Sequence, residues 1–349
     1  MKNILRLIQT TTSLSLLLQA PLARVQAQGA LTPSGAPAPM MKTLTQISPR
    51  TAITNSNTGV TLSLPGSYYL TTNITVNSGD AITIAANNVS LDLNGFTLLS
   101  TSAVASGTAI VLNNPQTNIS IFNGFITSGI TNNGSNIYGG SGWARGIYAS
   151  GSACNIRVAG VTVHGCLLYG IYLGTGPATL VKNCMVNNTG WGGIYADVVL
   201  DSFANVGGYS GTAGIQANLV MNCRGTSYSG PGVLASHVAG NCNGTSTTSY
   251  GLNATVADNC NGTSISQVGL LATVVAGSTG SSGSARGIST GIGKNSIGTS
   301  SSSSSYGFAA SALAIGCSGL NIASSGITGY ILNSCAGTDT SASFKYNMP

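Results

Sequence analysis

Glutamate is absent from this chain, and only 5% of its 349 residues carry charge. An ordinary domain has roughly 25%. The six acidic groups are all aspartates, scattered at Asp80, Asp92, Asp197, Asp201, Asp258 and Asp339. Histidine occurs twice (His164 and His237), tryptophan twice (Trp143 and Trp191), and no CxxC pair exists. These shortages exclude a dense carboxylate cluster and give no basis for a metal centre; no cofactor is expected. The 12 Lys and Arg form no run, so a nucleic-acid or anionic-membrane partner is unsupported. No apolar stretch is long enough for a transmembrane segment.

What the chain does have is glycine (48 residues) and a small-polar background of Ser, Thr and Asn. Glycine followed by an aliphatic or aromatic residue returns at Gly146, Gly170, Gly193, Gly214, Gly232, Gly251, Gly269, Gly287, Gly307 and Gly326. The steps are 24, 23, 21, 18, 19, 18, 18, 20 and 19 residues. The unit reads Gly-Φ-x-Ala, a short apolar pair, then x-Asn-(Cys/Ser)-x-Gly-Thr-Ser. A period near twenty means one stacked unit per repeat, not a globular core. The phase carries back to Ile82 and Ile110, giving about twelve coils and a rod of roughly 55–60 Å at one strand spacing per coil.

Within each repeat, Gly+1 and Gly+3 face one way and Gly+2 and Gly+4 the other. The Gly+1 column (Ile147, Ile171, Ile194, Ile215, Val233, Leu252, Leu270, Ile288, Phe308, Ile327) describes the inside of a narrow solenoid. Coil lengths drift and no six-residue aliphatic signature recurs, which favours a right-handed over a left-handed helix. The expected fold is all-β, a single-stranded right-handed parallel β-helix.

Residues 1–27 read as a signal peptide: basic Lys2 and Arg6, an apolar stretch through Leu14 and Leu16–Leu18, and Val25-Gln26-Ala27 as a cleavage site. Residues 28–41 read as a Pro/Ala/Gly-rich linker, and residues 42–349 as the β-helix domain with its terminal caps. The protein is expected to be secreted or held at the cell surface.

At Met41-Lys42-Thr43-Leu44 to Arg50, Gly66-Ser67-Tyr68-Tyr69-Leu70, Leu91-Asp92-Leu93-Asn94-Gly95-Phe96 and Asn123-Gly124-Phe125-Ile126 the chain resembles secreted bacterial proteins of the pectin lyase-like superfamily. That resemblance implies the right-handed parallel β-helix. Relatives on the fold are lyases, hydrolases, epimerases and phage tailspikes, so it does not choose a function.

Cys166, Cys184, Cys223, Cys242, Cys260, Cys317 and Cys335 are placed in one slot of the repeat, with Ser202, Ser278 and Ser296 filling it elsewhere. Three consecutive Cys cannot all pair, and Ser substitutes freely. An unbridged ladder of small residues is therefore expected, with Cys166–Cys184 and Cys317–Cys335 as the alternative bridges. His164 and Lys182 are placed in equivalent positions of adjacent coils.

The outward face beside the glycines carries Tyr148, Tyr172 and Tyr195, with Trp143 and Trp191 upstream and Arg145, Asp197 and Asn218 at the border. Aromatic faces beside amides and hydroxyls suit a sugar. A tyrosine stack also stabilises a sheet by itself. The first reading is a non-catalytic carbohydrate-binding or surface-structural protein, using Trp143, Arg145, Tyr148, Tyr172, Trp191, Tyr195 and Asn218 on a polysaccharide or cell-surface glycan. The alternative is a polysaccharide lyase or glycoside hydrolase with Asp197 and Asp201 as acid groups. A rod without ligand is the third.

Overall fold

The computed structural model describes residues 49–347 except 55, 114–115, 150, 152–153, 175, 322–325 and 338–339. The expected signal peptide and linker, and the first residues of the expected β-helix domain, lie outside the described residues. Those described belong to one compact unit, Pro49–Pro349. It is a parallel β-solenoid of about 14 turns. The two turns beyond the expected twelve come from Val60–Leu62, below Ile82, and Thr340–Tyr346, above Ile327.

Each turn supplies strands to three parallel columns. The first column runs from Val60–Leu62 through Ile82–Ile84, Thr108–Leu112, Arg145–Ala149, Ile171–Tyr172 and Ile194–Tyr195 to the glycine repeats. The second contains Val198–Leu200 and the third Phe203–Val206. In later turns one longer strand, such as Leu252–Asp258, serves both the first and second columns. Ile147, Ile171, Ile194 and Ile215 stack in register and are buried, as the alternation requires.

Four positions of the Asn-(Cys/Ser)-x-Gly-Thr-Ser unit have a physical job. The Asn turns the corner between second and third columns in the left-handed region: φ is 55° at Asn222, 52° at Asn241 and 51° at Asn259. Its amide also stacks on the coil below, with Asn241 Nδ2 donating to Asn222 Oδ1 at 3.1 Å. The glycine of the unit sits where two backbones nearly touch; a Cβ on Gly244 would collide with the carbonyl of Gly251. The closing Ser caps the next turn: Ser246 accepts from Ser249 N at 3.0 Å and donates to Gly230 O at 2.7 Å.

The Cys/Ser slot runs unbroken through nine coils at Cys184, Ser202, Cys223, Cys242, Cys260, Ser278, Ser296, Cys317 and Cys335, each just before its third-column strand. All eight cysteines are free thiols, and Cys154 alone is exposed. Thiol and hydroxyl do the same work. Cys223 Sγ donates to Met221 O at 3.0 Å, and Ser202 Oγ to Leu200 O at 2.7 Å.

Cys166 does not belong to this ladder. It pairs with Thr189 at the far end of the third column, and the slot in its coil is taken by Val161. His164 likewise pairs with Asn187, whereas Lys182 pairs with Ala159 in the second column, so the two are not equivalent. The cause is a long coil. Fifteen residues separate Gly146 from Val161 in the slot, against nine between Gly193 and Ser202, and the strand Cys154–Cys166 runs through two columns. Counting from the glycine therefore loses phase. An antiparallel hairpin, Gly129–Asn132 with Tyr138–Ser141, precedes Gly146.

Candidate functional site

The first-column outward row begins the site. Tyr148, Tyr172 and Tyr195 occupy equivalent positions in successive coils, and Gln216 follows. Ring centroids of Tyr148 and Tyr172 are 5.3 Å apart and stacked, and Tyr172 meets Tyr195 edge-on at 4.9 Å. The Arg145 guanidinium lies 4.6 Å over the Tyr148 ring. Burial pushes the Tyr172 phenol up, and neighbouring Tyr195, Tyr169 and Tyr148 act in the same direction. The Tyr172 phenol therefore stays protonated through neutral pH.

Two rings enter the cluster that the outward-row pattern did not include. Tyr169 sits 4.9 Å from Tyr172 and 5.8 Å from Trp191. Trp191 stacks on Tyr209 at 5.8 Å with 22° between planes. Tyr169 occupies the position before the repeat glycine, a column that also holds Tyr250 and Tyr306 and so was legible. Tyr209 is presented by a one-turn 3-10 helix, Tyr209–Gly211, and had no periodic signal.

Trp143 is a correction. It is 0% exposed and packs in the solenoid core, so it cannot face a ligand on the platform. Its position, three residues before Gly146, falls inside the coil where the chain re-enters from the hairpin.

Asp197 follows Tyr195 by two residues and lies half-buried at the platform's edge. Its Oδ1 accepts from Asn218 Nδ2 at 2.8 Å, and its Oδ2 accepts from Ala178 N at 3.2 Å. Ala178 has φ 61°, the one alanine in the left-handed region among the described residues; the corner below it is turned by Asn155, Asn118 and Asn88. A Cβ there costs about 1–2 kcal/mol. Strain of this kind persists only where the surroundings impose it.

Asp201 is brought to a different place. Val198–Leu200 separates it from Asp197, so the two Cα atoms stand roughly 13 Å apart along the strand. Paired glycosidase carboxyls stand about 5–9.5 Å apart. Asp201 occupies the corner position that Asn fills in neighbouring coils, with φ 50°. It accepts from Asn222 Nδ2 at 3.0 Å and lies 3.8 Å from Lys182 Nζ. It lines an open groove of about 810 Å³ with Met185, Phe203 and Arg224. Among the described residues no three His, Cys, Asp or Glu side chains gather as metal ligands.

No family model and no curated protein matches this chain. Three solved structures are similar, all of the catalytic domain of GH87 alpha-1,3-glucanase in complex with nigerose. Identities are 9%, 9% and 10%, and TM-scores 0.36, 0.36 and 0.32. Each match covers 83% of this chain, which spans 61% of the length of the solved chain. A likeness this distant carries nothing about individual residues. The similar chains are catalytic domains, and the non-catalytic carbohydrate-binding or surface-structural reading is not carried further.

Proposed function

We propose that this chain is a glycoside hydrolase that lays a glycan across the tyrosine platform and uses Asp197 at the platform's edge. One observation carries the reading: Tyr148, Tyr172 and Tyr195 form an aromatic surface that ends two residues before a half-buried carboxylate. Tyrosine faces pack against the C–H face of a sugar while phenol and amide groups meet its hydroxyls. Asp197, fixed by Asn218 and the Ala178 N–H, supplies negative charge where an oxocarbenium-like transition state develops positive charge. The N-terminal pattern of residues 1–27 supports action outside the cell or at its surface.

The test is release of new reducing ends from a panel of neutral polysaccharides that includes alpha-1,3-glucan. Hydrolysis lost in Asp197→Asn, and weakened binding in Tyr172→Ala, are the expected results. No new reducing ends from any polymer would overturn the proposal.

A further inference from the structure

The hairpin 129–141 is fastened to the solenoid at its base and near its tip. Ser128 N donates to His164 O at 3.1 Å, Asn188 Nδ2 donates to Ile130 O, and Asn136 Nδ2 donates to Gly207 O at 3.2 Å. The Tyr138 ring lies over Gly190 and Gly207, where a Cβ at Gly207 would strike it. Within the tip, Asn133 Oδ1 accepts from Ser135 N at 2.8 Å and Ile137 N at 3.2 Å. The hairpin is thus preset.

A hairpin seated this way should cover the apolar side chains beside it, yet it leaves them open. Tyr209 is 61% exposed, Ile137 is 65% exposed, and Trp191 is half-buried. All three line one cavity of about 240 Å³, with Asn136, Tyr138 and Leu167. Tyr209 is held toward it by backbone: Tyr209 N donates to Gly190 O at 3.1 Å, and Gly208 N to Trp191 O at 3.0 Å. No Lys, Arg, Asp or Glu lines it. Trp191 connects the cavity to the platform through Tyr169.

We propose that the cavity between the hairpin and the Trp191–Tyr209 pair binds one neutral sugar ring of a glycan that continues onto the tyrosine platform. Stacked aromatics give the ring its apolar seat, and the Asn136 amide oxygen with the Tyr209 hydroxyl supplies polar partners. The absence of charge in the lining excludes selection for an acidic sugar. The glycan then crosses the solenoid around the third-to-first column turn, instead of running along its axis. This inference rests on the glycan reading of the platform.

The experiment uses the protein with neutral oligosaccharides of glucose, mannose, galactose and xylose, and oligogalacturonate as the acidic comparison. Binding is followed by tryptophan fluorescence, because Trp143 is buried and gives a constant background. The expected result is that a neutral oligosaccharide perturbs the emission, and that Tyr209→Ala and Ile137→Ser each weaken binding about tenfold or more. Raising NaCl from about 0.05 to about 0.5 M should leave the affinity unchanged. Both side chains are exposed, and unchanged unfolding midpoints will certify the variants. Full affinity in both variants, with affinity lost in Tyr172→Ala, overturns the pocket and keeps the platform. Preference for oligogalacturonate with salt-sensitive binding overturns the neutral ligand. No binding of any probe overturns pocket and platform together.

Discussion

The backbone N–H of Ala178, held at φ 61°, donates to Asp197 Oδ2 at 3.2 Å. An alanine in the left-handed region thus directs an amide at the one carboxylate that borders the tyrosine platform. Replacing Ala178 by Asn keeps the Cβ but suits this backbone, as at Asn155 in the coil below. Ala178→Asn is expected to raise stability by about 1 kcal/mol, read from denaturant unfolding. An unchanged midpoint would mean that the left-handed turn stores no strain.

The Cys/Ser ladder predicts an order of substitutions. Cys260 N donates to Ser278 Oγ at 3.0 Å, and that hydroxyl donates to Ala276 O at 2.7 Å. Ser278→Cys preserves both roles and should cost less than about 1 kcal/mol. Ser278→Val leaves the Cys260 N–H and the Ala276 carbonyl without this partner, and should cost about 1–3 kcal/mol. Equal losses in the two variants would show that only volume matters in the slot.

Burial pushes the thiols of Cys184, Cys223 and Cys317 up to about 11, from an ordinary 9.0. The unfolded thiol ionises first, so the unfolded state holds fewer protons between these values. Stability should therefore be full below pH 9 and fall as pH rises toward 11. Tyrosines titrate in the same window, so the discriminating measurement is the difference between the wild type and Cys184→Ser/Cys223→Ser/Cys317→Ser. The variant should lose less stability over that interval.

At the Asn corner, Asn222 donates to Asp201 and accepts from Asn241 while holding φ 55°. Asn222→Ala should cost about 1–2 kcal/mol, dominated by the backbone conformation. Asn222→Gly should cost less, because only the exposed amide bonds are lost. The reverse order in thermal unfolding would place the ladder bonds above the turn.

The repeat made the core legible because a strand fixes which side chains face inward, and Ile147 through Ile327 are buried as their period requires. It also revealed the Tyr148–Tyr172–Tyr195 row. It failed where coil length changed. Cys166 and His164 lost phase in the coil after the hairpin, and Trp143 turned inward at the same place. Tyr209 and the hairpin wall reach Trp191 from turns 18 and more than 50 residues away, a proximity that no local period encodes. Asp201 looked like a partner for Asp197 by sequence distance, but an extended strand drives residues four apart to opposite corners.

The measurement that bears most directly on the central claim is reducing-end release by the wild type and by Asp197→Asn on the same neutral polysaccharide, at matched folding. The account predicts hydrolysis by the wild type and a loss of at least about a hundredfold in the variant, a deficit of about 2.7 kcal/mol in transition-state stabilisation. Undiminished hydrolysis by Asp197→Asn would contradict it.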